Sequence, residues 1–434
     1  MAGAIKILNR PHIHSYYSAS ANAAPDRPAL RETVECDVCV IGGGIAGCST
    51  ALHLAERGYR VVVLESHRVG WGASGRSGAQ AIVGIASGQH KLERLVGATD
   101  ARAVWDLSVE ALGLMRSLIE RHRIDCDWVD GQMLVSTKPR HDRELREEER
   151  ELLEVYNYRS VRYLPREEVR SLLPTDRYLS GLLDSNGGHC HPLNYTLGLA
   201  AAAHSAGAQV FEGTPALSYQ SSQSNVRVKT EHGEVRARHL VFCGNAYLHG
   251  VARELESKIM AVGTYIVATE RLGAERARPL IANNACVSDI NWILDYFRRS
   301  ADDRLLFGGR VSYSGLDPFR TAETTRARMV RVFPQLKDVK LEYSWGGYVD
   351  ITMNRAPHFG RLAPNVYFLQ GFSGHGIALT GLAGQLVAEA IAGTAERFDV
   401  FTRIPHRTFP GGTALRRPAL MLAMLYYRIK DLLP

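Results

Sequence analysis

Residues 37–65 limit the fold of this chain more than any other stretch. Asp37-Val-Cys-Val-Ile-Gly-Gly-Gly-Ile-Ala-Gly47 precedes a helix-compatible run that ends at Gly58, and Val61-Val-Val-Leu-Glu65 follows it. Val38 to Ile41 is an apolar, β-branched run bounded by turn residues, the pattern of a buried parallel strand. Gly42, Gly44 and Gly47 fit G-x-G-x-x-G: a tight turn, a close approach of backbone to a pyrophosphate, and close packing of helix on strand. The helix beginning near Ile45 turns free N–H groups and a partial positive charge toward that pyrophosphate. Glu65, 21 residues after Gly44, ends the second strand, where a carboxylate accepts hydrogen bonds from a ribose. An ordinary glycine turn leaves Glu65 unexplained. The stretch predicts a Rossmann-like dinucleotide-binding unit.

At 434 residues the chain exceeds one simple core, and 45% hydrophobic with 22% charged residues is a globular balance. A net charge of +7 spread along the chain calls for an anionic cofactor or acidic substrate and does not imply nucleic acid. Seven cysteines, an odd number scattered along the chain, point to reduced thiols and a cytoplasmic setting. No secretory pattern opens the chain, and the apolar run Ala419 to Tyr427 is too short to span a bilayer. Arginines and a lysine flank that run, so packing on the body or a partner, with peripheral membrane contact as the alternative, is expected.

The chain divides by pattern into an arm (1–34), a nucleotide-binding segment (35–100), a helical and substrate-domain segment (101–185), a second nucleotide-binding segment (186–258), an antiparallel sheet (259–345), a third nucleotide-binding segment (346–415) and an apolar, basic tail (416–434). The expected fold is therefore two-domain α/β (α+β): a Rossmann-like nucleotide-binding domain with an inserted antiparallel-sheet substrate domain. Residues 139–156, with Glu144, Arg146, Glu147, Glu148, Glu149 and Arg150, read as a helix with a solvated face. Val226–Lys229 and Val235–Cys243 read as a hairpin feeding the strand Leu240–Cys243, and Ser300 to Asp303 as a hairpin turn. His189-Cys-His191 lacks partner ligands at useful spacing, so no metal is expected. Gly371-Phe-Ser-Gly-His-Gly376 is a second strand-to-helix glycine junction, predicted to open a helix running to Gly393.

Taken together, Val40 to Gly47, Gly72-Ala-Ser-Gly-Arg-Ser-Gly78, Cys243-Gly-Asn-Ala246, Leu294-Asp-Tyr-Phe297, Phe307-Gly-Gly-Arg310 and Gly371 to Gly376 resemble FAD-dependent amine and amino-acid oxidoreductases of the D-amino-acid oxidase superfamily. Within it they are most similar to the gamma-glutamylputrescine oxidase branch. The resemblance implies cofactor contacts from Gly42, Gly44, Ile45, Ala46, Gly47, Glu65 and Ser66. It extends them to Gly72, Ala73, Ser74, Gly75, Arg76, Ser77, Gly78, Gln80, Ala216, Cys243, Gly244 and Asn245, and to Gly374, His375, Gly376 and Ile377. Two departures stand out: Ser77-Gly78-Ala79 replaces the more usual Asn-Gly-Gly, and the arm carries no substrate signature. Relatives that bond FAD covalently use a His or Cys near the ring; here only His375 and the distant Cys286 come into question, and non-covalent FAD is expected.

The expected reaction is oxidation of a small-molecule amine to an imine that hydrolyses to an aldehyde, with O2 or another acceptor reoxidising the flavin. Trp345, Tyr348, Tyr296, Arg310 and His375 are the candidates for the substrate and flavin face. The aromatics would wall in an aliphatic amine and Arg310 would bind a carboxylate. Each has a plainer role open to it: core packing for the aromatics, surface pairing for Arg310, helix capping for His375. Three alternatives stay open: an N-methyl amino-acid oxidase, a nicotinamide dehydrogenase, and a flavin-binding protein without catalysis. The oligomeric state is not readable.

Overall fold

The computed structural model describes residues 10–248, 250–312 and 318–410, with side chains described except at 310–312 and 318–320. The expectation for the tail at 416–434 lies outside the described residues.

Val38–Ile41, Ile45–Ala55 and Val61–Leu64 form the strand–helix–strand unit, both strands buried throughout. They sit inside a six-stranded sheet ordered His358–Ala363, Val366–Gln370, His239–Phe242, Val38–Ile41, Val61–Leu64, Gln209–Phe211. All its pairings are parallel except that of the His358–Ala363 edge strand. Every residue of the helix Ile45–Ala55 is buried, because it lies between the sheet and the helices Pro192–Ser205 and Leu379–Ile391. Small residues permit that crossing. A Cβ on Gly384 would stand 2.6 Å from the Thr50 backbone nitrogen.

The other face carries a four-stranded sheet, Thr33–Glu35, Glu234–Ala237, Val226–Lys229, Ser218–Ser221. Here two expectations change. The arm is not merely laid on the body: Thr33–Glu35 pairs in parallel with Glu234–Ala237, and Tyr17 is fully buried with its hydroxyl donating to Ser77 O at 3.0 Å. The stretch Val235–Cys243 is not one hairpin arm, since it breaks at Arg238 into strands of two different sheets. Asp37 O draws in both the Arg238 and His239 N–H groups, at 3.1 and 3.0 Å, and that turns the chain.

The inserted domain is one large mixed sheet. Its strands run Leu341–Thr352, Ile259–Thr269, Leu305–Ser312, Tyr296–Arg299, Cys286–Asp289, Val129–Ser136, Ser180–His189 and Gln80–Ala81, with Val161–Pro165 paired to Ser180–His189. It is antiparallel except where Cys286–Asp289 runs parallel to Val129–Ser136. The long strand Leu341–Thr352 passes the expected boundary at 345, because it pairs along its whole length with Ile259–Thr269. The fold is thus a Rossmann-like FAD-binding domain carrying an inserted sheet domain.

Candidate active site

The two domains enclose a cavity of about 530 Å³. Its floor is the glycine turn after Val38–Ile41. Gly42 has φ +111°, and a Cβ there would meet Cys243 O at 2.7 Å; a Cβ on Gly44 would meet Ser74 Oγ at 2.8 Å. Ser74 Oγ accepts the Ile45 N–H at 3.0 Å, which pins the second glycine loop over the first helix turn. Glu65 lines the cavity and accepts the Gly43 N–H at 2.7 Å and the His67 N–H at 2.9 Å. Burial, opposed by those donors, pushes its carboxyl up to about 7.

Gly42, Gly44, Ile45, Ala46, Glu65, Ser66, Gly72, Ala73, Ser74, Ser77, Gly78, Gln80, Ala216, Cys243, Gly244, Asn245, Gly374, His375, Gly376 and Ile377 all line this cavity. Gly47, Gly75 and Arg76 do not; they act behind the wall. A Cβ on Gly75 would meet Gly70 O at 2.2 Å, so glycine there lets the loop fold on itself. Arg76 lies 3.9 Å over the Trp71 ring and donates from Nε to Trp71 O at 2.6 Å. The second junction also differs from expectation. The helix begins at Leu379, after a loop in which Gly371, Ser373 and Gly374 take positive φ, although Thr380 N–H already bonds to Gly376 O at 3.0 Å. Asp350, fully enclosed with its carboxyl pushed up to about 6 by burial, accepts the Gly371 N–H and fastens that loop to the large sheet.

Of the candidates for the substrate face, Tyr296 and His375 line the cavity. The Tyr296 ring crosses Gly78 and Gly308, where Cβ atoms would come within 2.6 and 2.2 Å of it. His375 Nδ1 has no hydrogen-bond partner, and burial together with Arg355 lowers its pKa to about 4, so the ring is neutral at pH 7. Trp345 is not in the wall: its indole N–H donates to Arg76 O at 3.0 Å and its ring packs edge-on against Tyr17. Tyr348 points outward at 47% exposure; its own N–H donates to the Tyr247 hydroxyl, and it is Tyr247 that lines the cavity. The side chain of Arg310 lies outside the described residues. Sequence reasoning missed Asp350, Arg355, Tyr247 and Gln132, all cavity-lining. Arg355, at φ +65°, lies 5.4 Å over the Trp292 ring. No local motif marks these residues, because long-range strand pairing brings them together.

His189 and His191 are structural. His189 Nε2 stands 2.9 Å from Asn284 O, and His191 Nδ1 accepts the Asn194 N–H at 3.1 Å as the N-cap of the helix Pro192–Ser205. Among the described residues no group of three or more His, Cys, Asp or Glu side chains is placed to hold a metal ion. Burial, and then Arg298, lower both imidazoles to about 3. The unfolded chain binds these protons below about pH 6.5 and the folded chain does not, so stability falls as pH drops from 6.5 toward 3. At pH 5 one such group costs about 2 kcal/mol. His191→Asn keeps a capping acceptor, and its melting temperature is expected to fall less than that of the wild type between pH 6.5 and 5. Parallel curves would refute the assignment.

The FAD dependent oxidoreductase family model matches residues 37–390. The chain is 43% identical over 421 residues to the gamma-glutamylputrescine oxidoreductase of Escherichia coli K12, covering 97% of this chain and 98% of that one. It is 41% identical over 428 residues to a probable oxidoreductase, OrdL, of Haemophilus influenzae, covering 97% of each. Among solved structures, glycine oxidase from Geobacillus kaustophilus superposes with a TM-score of 0.70 at 22% identity, covering 82% of this chain and 95% of that one, a likeness of fold. Cβ-intolerant glycines over a helix N-terminus, a carboxylate at the end of the second strand and a match across most of the sequence agree: the chain belongs to the FAD-dependent oxidoreductases.

Proposed function

We propose that this enzyme oxidises the C–N bond of an aliphatic amine, with a gamma-glutamylated polyamine such as gamma-glutamylputrescine as substrate. The observation that carries the reading is the near full-length 43% identity to a gamma-glutamylputrescine oxidoreductase, on a chain whose cavity joins the glycine cradle to the inserted sheet. The cradle fits FAD: backbone from Gly42 to Ala46 and the pinned Ser74 would hold the diphosphate, Glu65 the ribose, and the turn from Gly374 to Ile377 the flavin end. Bound there, FAD supplies the two-electron acceptor for the amine carbon.

The remaining work falls to the chain. The Gly374–Ile377 turn directs backbone dipoles at the flavin end, and neutral His375 adds no charge to repel a substrate cation. Tyr296, Leu294 and Trp292 exclude water and wall in the methylene chain. Arg355 places a guanidinium on the cavity wall near His375, and Arg310 remains the candidate for the carboxylate of a glutamyl group. FAD is bound without a covalent link in this reading. Cys286 Sγ is buried against Gly131 O and Gly188 O, and Cys286 does not line the cavity. Seven free, buried thiols suit the cytoplasm. Among the described residues no helix is long and apolar enough to cross a membrane.

The test is anaerobic mixing of the holoenzyme with gamma-glutamylputrescine. The oxidised-flavin band is expected to bleach, and readmitted acceptor to release an aldehyde and ammonia. Formaldehyde would redirect the assignment to an N-methyl amine, and an unchanged band would refute amine oxidation.

A further inference from the structure

The helix Pro139–Glu154 does not present a purely solvated face. Glu148 and Leu152, one turn apart, look toward the strands Val129–Ser136, Val161–Pro165 and Ser180–His189 and line the cavity. Glu148 is exposed, as the sequence expectation had it, but the space it faces is the cavity. The walls around it are apolar: Val83, Leu134, Leu152, Val161 and Leu182. Glu148 itself is open to the cavity, a carboxylate facing apolar side chains without a partner of opposite charge.

The neighbouring polar groups are already engaged. Asp184 accepts the Tyr158 hydroxyl at 2.8 and 3.0 Å and the Asn186 N–H at 2.9 Å, and Gln132 Nε2 stands 3.4 Å from Ser288 Oγ. Arg146 pairs with Asp142, and Arg162 with Glu168. Among the described residues Glu148 makes no hydrogen bond or ion pair. Desolvation by the cavity wall, and then its charged neighbours Glu151 and Glu144 of its own sign, raise its carboxyl above the ordinary range. The helix rests on the strands Val129–Ser136, Val161–Pro165 and Ser180–His189 of the inserted sheet, whereas the glycine turns belong to the other domain.

We propose that Glu148 is the counter-ion for a positively charged group of the substrate remote from the carbon being oxidised, with the apolar walls beside it carrying the intervening methylene chain. The inference rests on the amine-oxidation reading above and sharpens it to amines bearing a second ammonium group. An arriving cation gives the cavity-lining carboxylate the partner it lacks, and the apolar walls strengthen that attraction.

The test uses wild-type holoenzyme, Glu148→Gln and Glu148→Asp with two substrates of identical reacting end: gamma-glutamylputrescine, and N-glutarylputrescine, which lacks the α-ammonium. In the wild type kcat/KM is expected to favour the ammonium-bearing substrate by at least about tenfold. Glu148→Gln should erase that preference through KM, leaving kcat and the glutaryl substrate nearly unchanged, and Glu148→Asp should restore part of it. The Glu148→Gln melting temperature should equal or exceed that of the wild type, because one of three neighbouring like charges, with Glu144 and Glu151, is removed. Equal losses on both substrates, no loss on either, or a lowered melting temperature would overturn the proposal while leaving amine oxidation standing. A wild type that oxidises neither substrate would overturn both readings.

Discussion

Gly47→Ala is expected to give a protein that purifies without flavin and melts well below the wild type. A Cβ at 47 would stand 1.9 Å from Gly42 O and 3.3 Å from Val40 Cγ1. The obstruction is backbone, so no rotamer change relieves it. Either the helix Ile45–Ala55 must lift from its strand or the turn at Gly42 must open. Overpacking a well-packed interior costs about 1–3 kcal/mol and occasionally more, and a clash with a carbonyl belongs at the upper end. Moving the turn also removes the diphosphate cradle, so flavin loss should exceed what destabilisation alone gives. Gly58→Ala is the control. It has φ +83° but nothing within 4 Å of its would-be Cβ, so it should cost only the ~1–2 kcal/mol of a left-handed alanine and keep its flavin. Flavin-to-protein ratios and melting curves of both variants decide the matter. A Gly47→Ala protein with full flavin content would show that this turn is not the cradle.

The legible parts of the chain are those whose cause is local. The strand, glycine turn, helix and second strand of 38–64 follow from neighbouring residues, and the structure shows Val38–Ile41, Ile45–Ala55 and Val61–Leu64 there. The two-domain architecture followed from the position of a second glycine junction far down the chain. What period-two alternation cannot say is which face of a strand meets the cavity. Trp345 and Tyr348 lie on one strand, yet the first is buried against Tyr17 and the second is exposed. Register with Ile259–Thr269 and the arm settles that, and both are long-range.

Glu148 was hidden for a different reason. In a run as charged as Glu144 to Arg150 the composition swamps the helical period, and only the packing of Leu145 and Leu152 reveals which side is inward. Asp350 and Arg355 sit where a long strand ends and turns back, positions set by where its partner strands stop. The cavity therefore has two origins. One wall comes from short glycine motifs that any reader can find, and the other from strand register that only the fold supplies.

The affinity of the apoprotein for FAD is expected to rise with pH up to about 7 and then level off, and Glu65 is the reason. Its carboxyl is held at about 7 by burial, with Glu212 adding a like charge, although the Gly43 and His67 N–H groups favour ionisation. In the proposed reading the ribose hydroxyls donate to the ionised form, which lowers the pKa in the complex. Binding then expels a proton below pH 7, so affinity should strengthen by up to about tenfold between pH 6 and 7. The same shift has the opposite sign for the apoprotein alone. The folded state holds a proton between 4.5 and about 7 that the unfolded state releases, so this group withdraws stability as pH rises through that window. Two variants separate the effects. Glu65→Gln keeps the shape and one acceptor and should bind FAD more weakly but without the pH dependence. Glu65→Ala leaves the Gly43 and His67 N–H groups without their acceptor, at about 1–3 kcal/mol each, and should lose at least about thirtyfold in affinity. Quenching of FAD fluorescence on titration with apoprotein, at steps from pH 6 to 8, measures all three proteins. A wild type with no pH dependence, or a Glu65→Gln variant with the same dependence, would assign the proton to another group and remove Glu65 from the ribose.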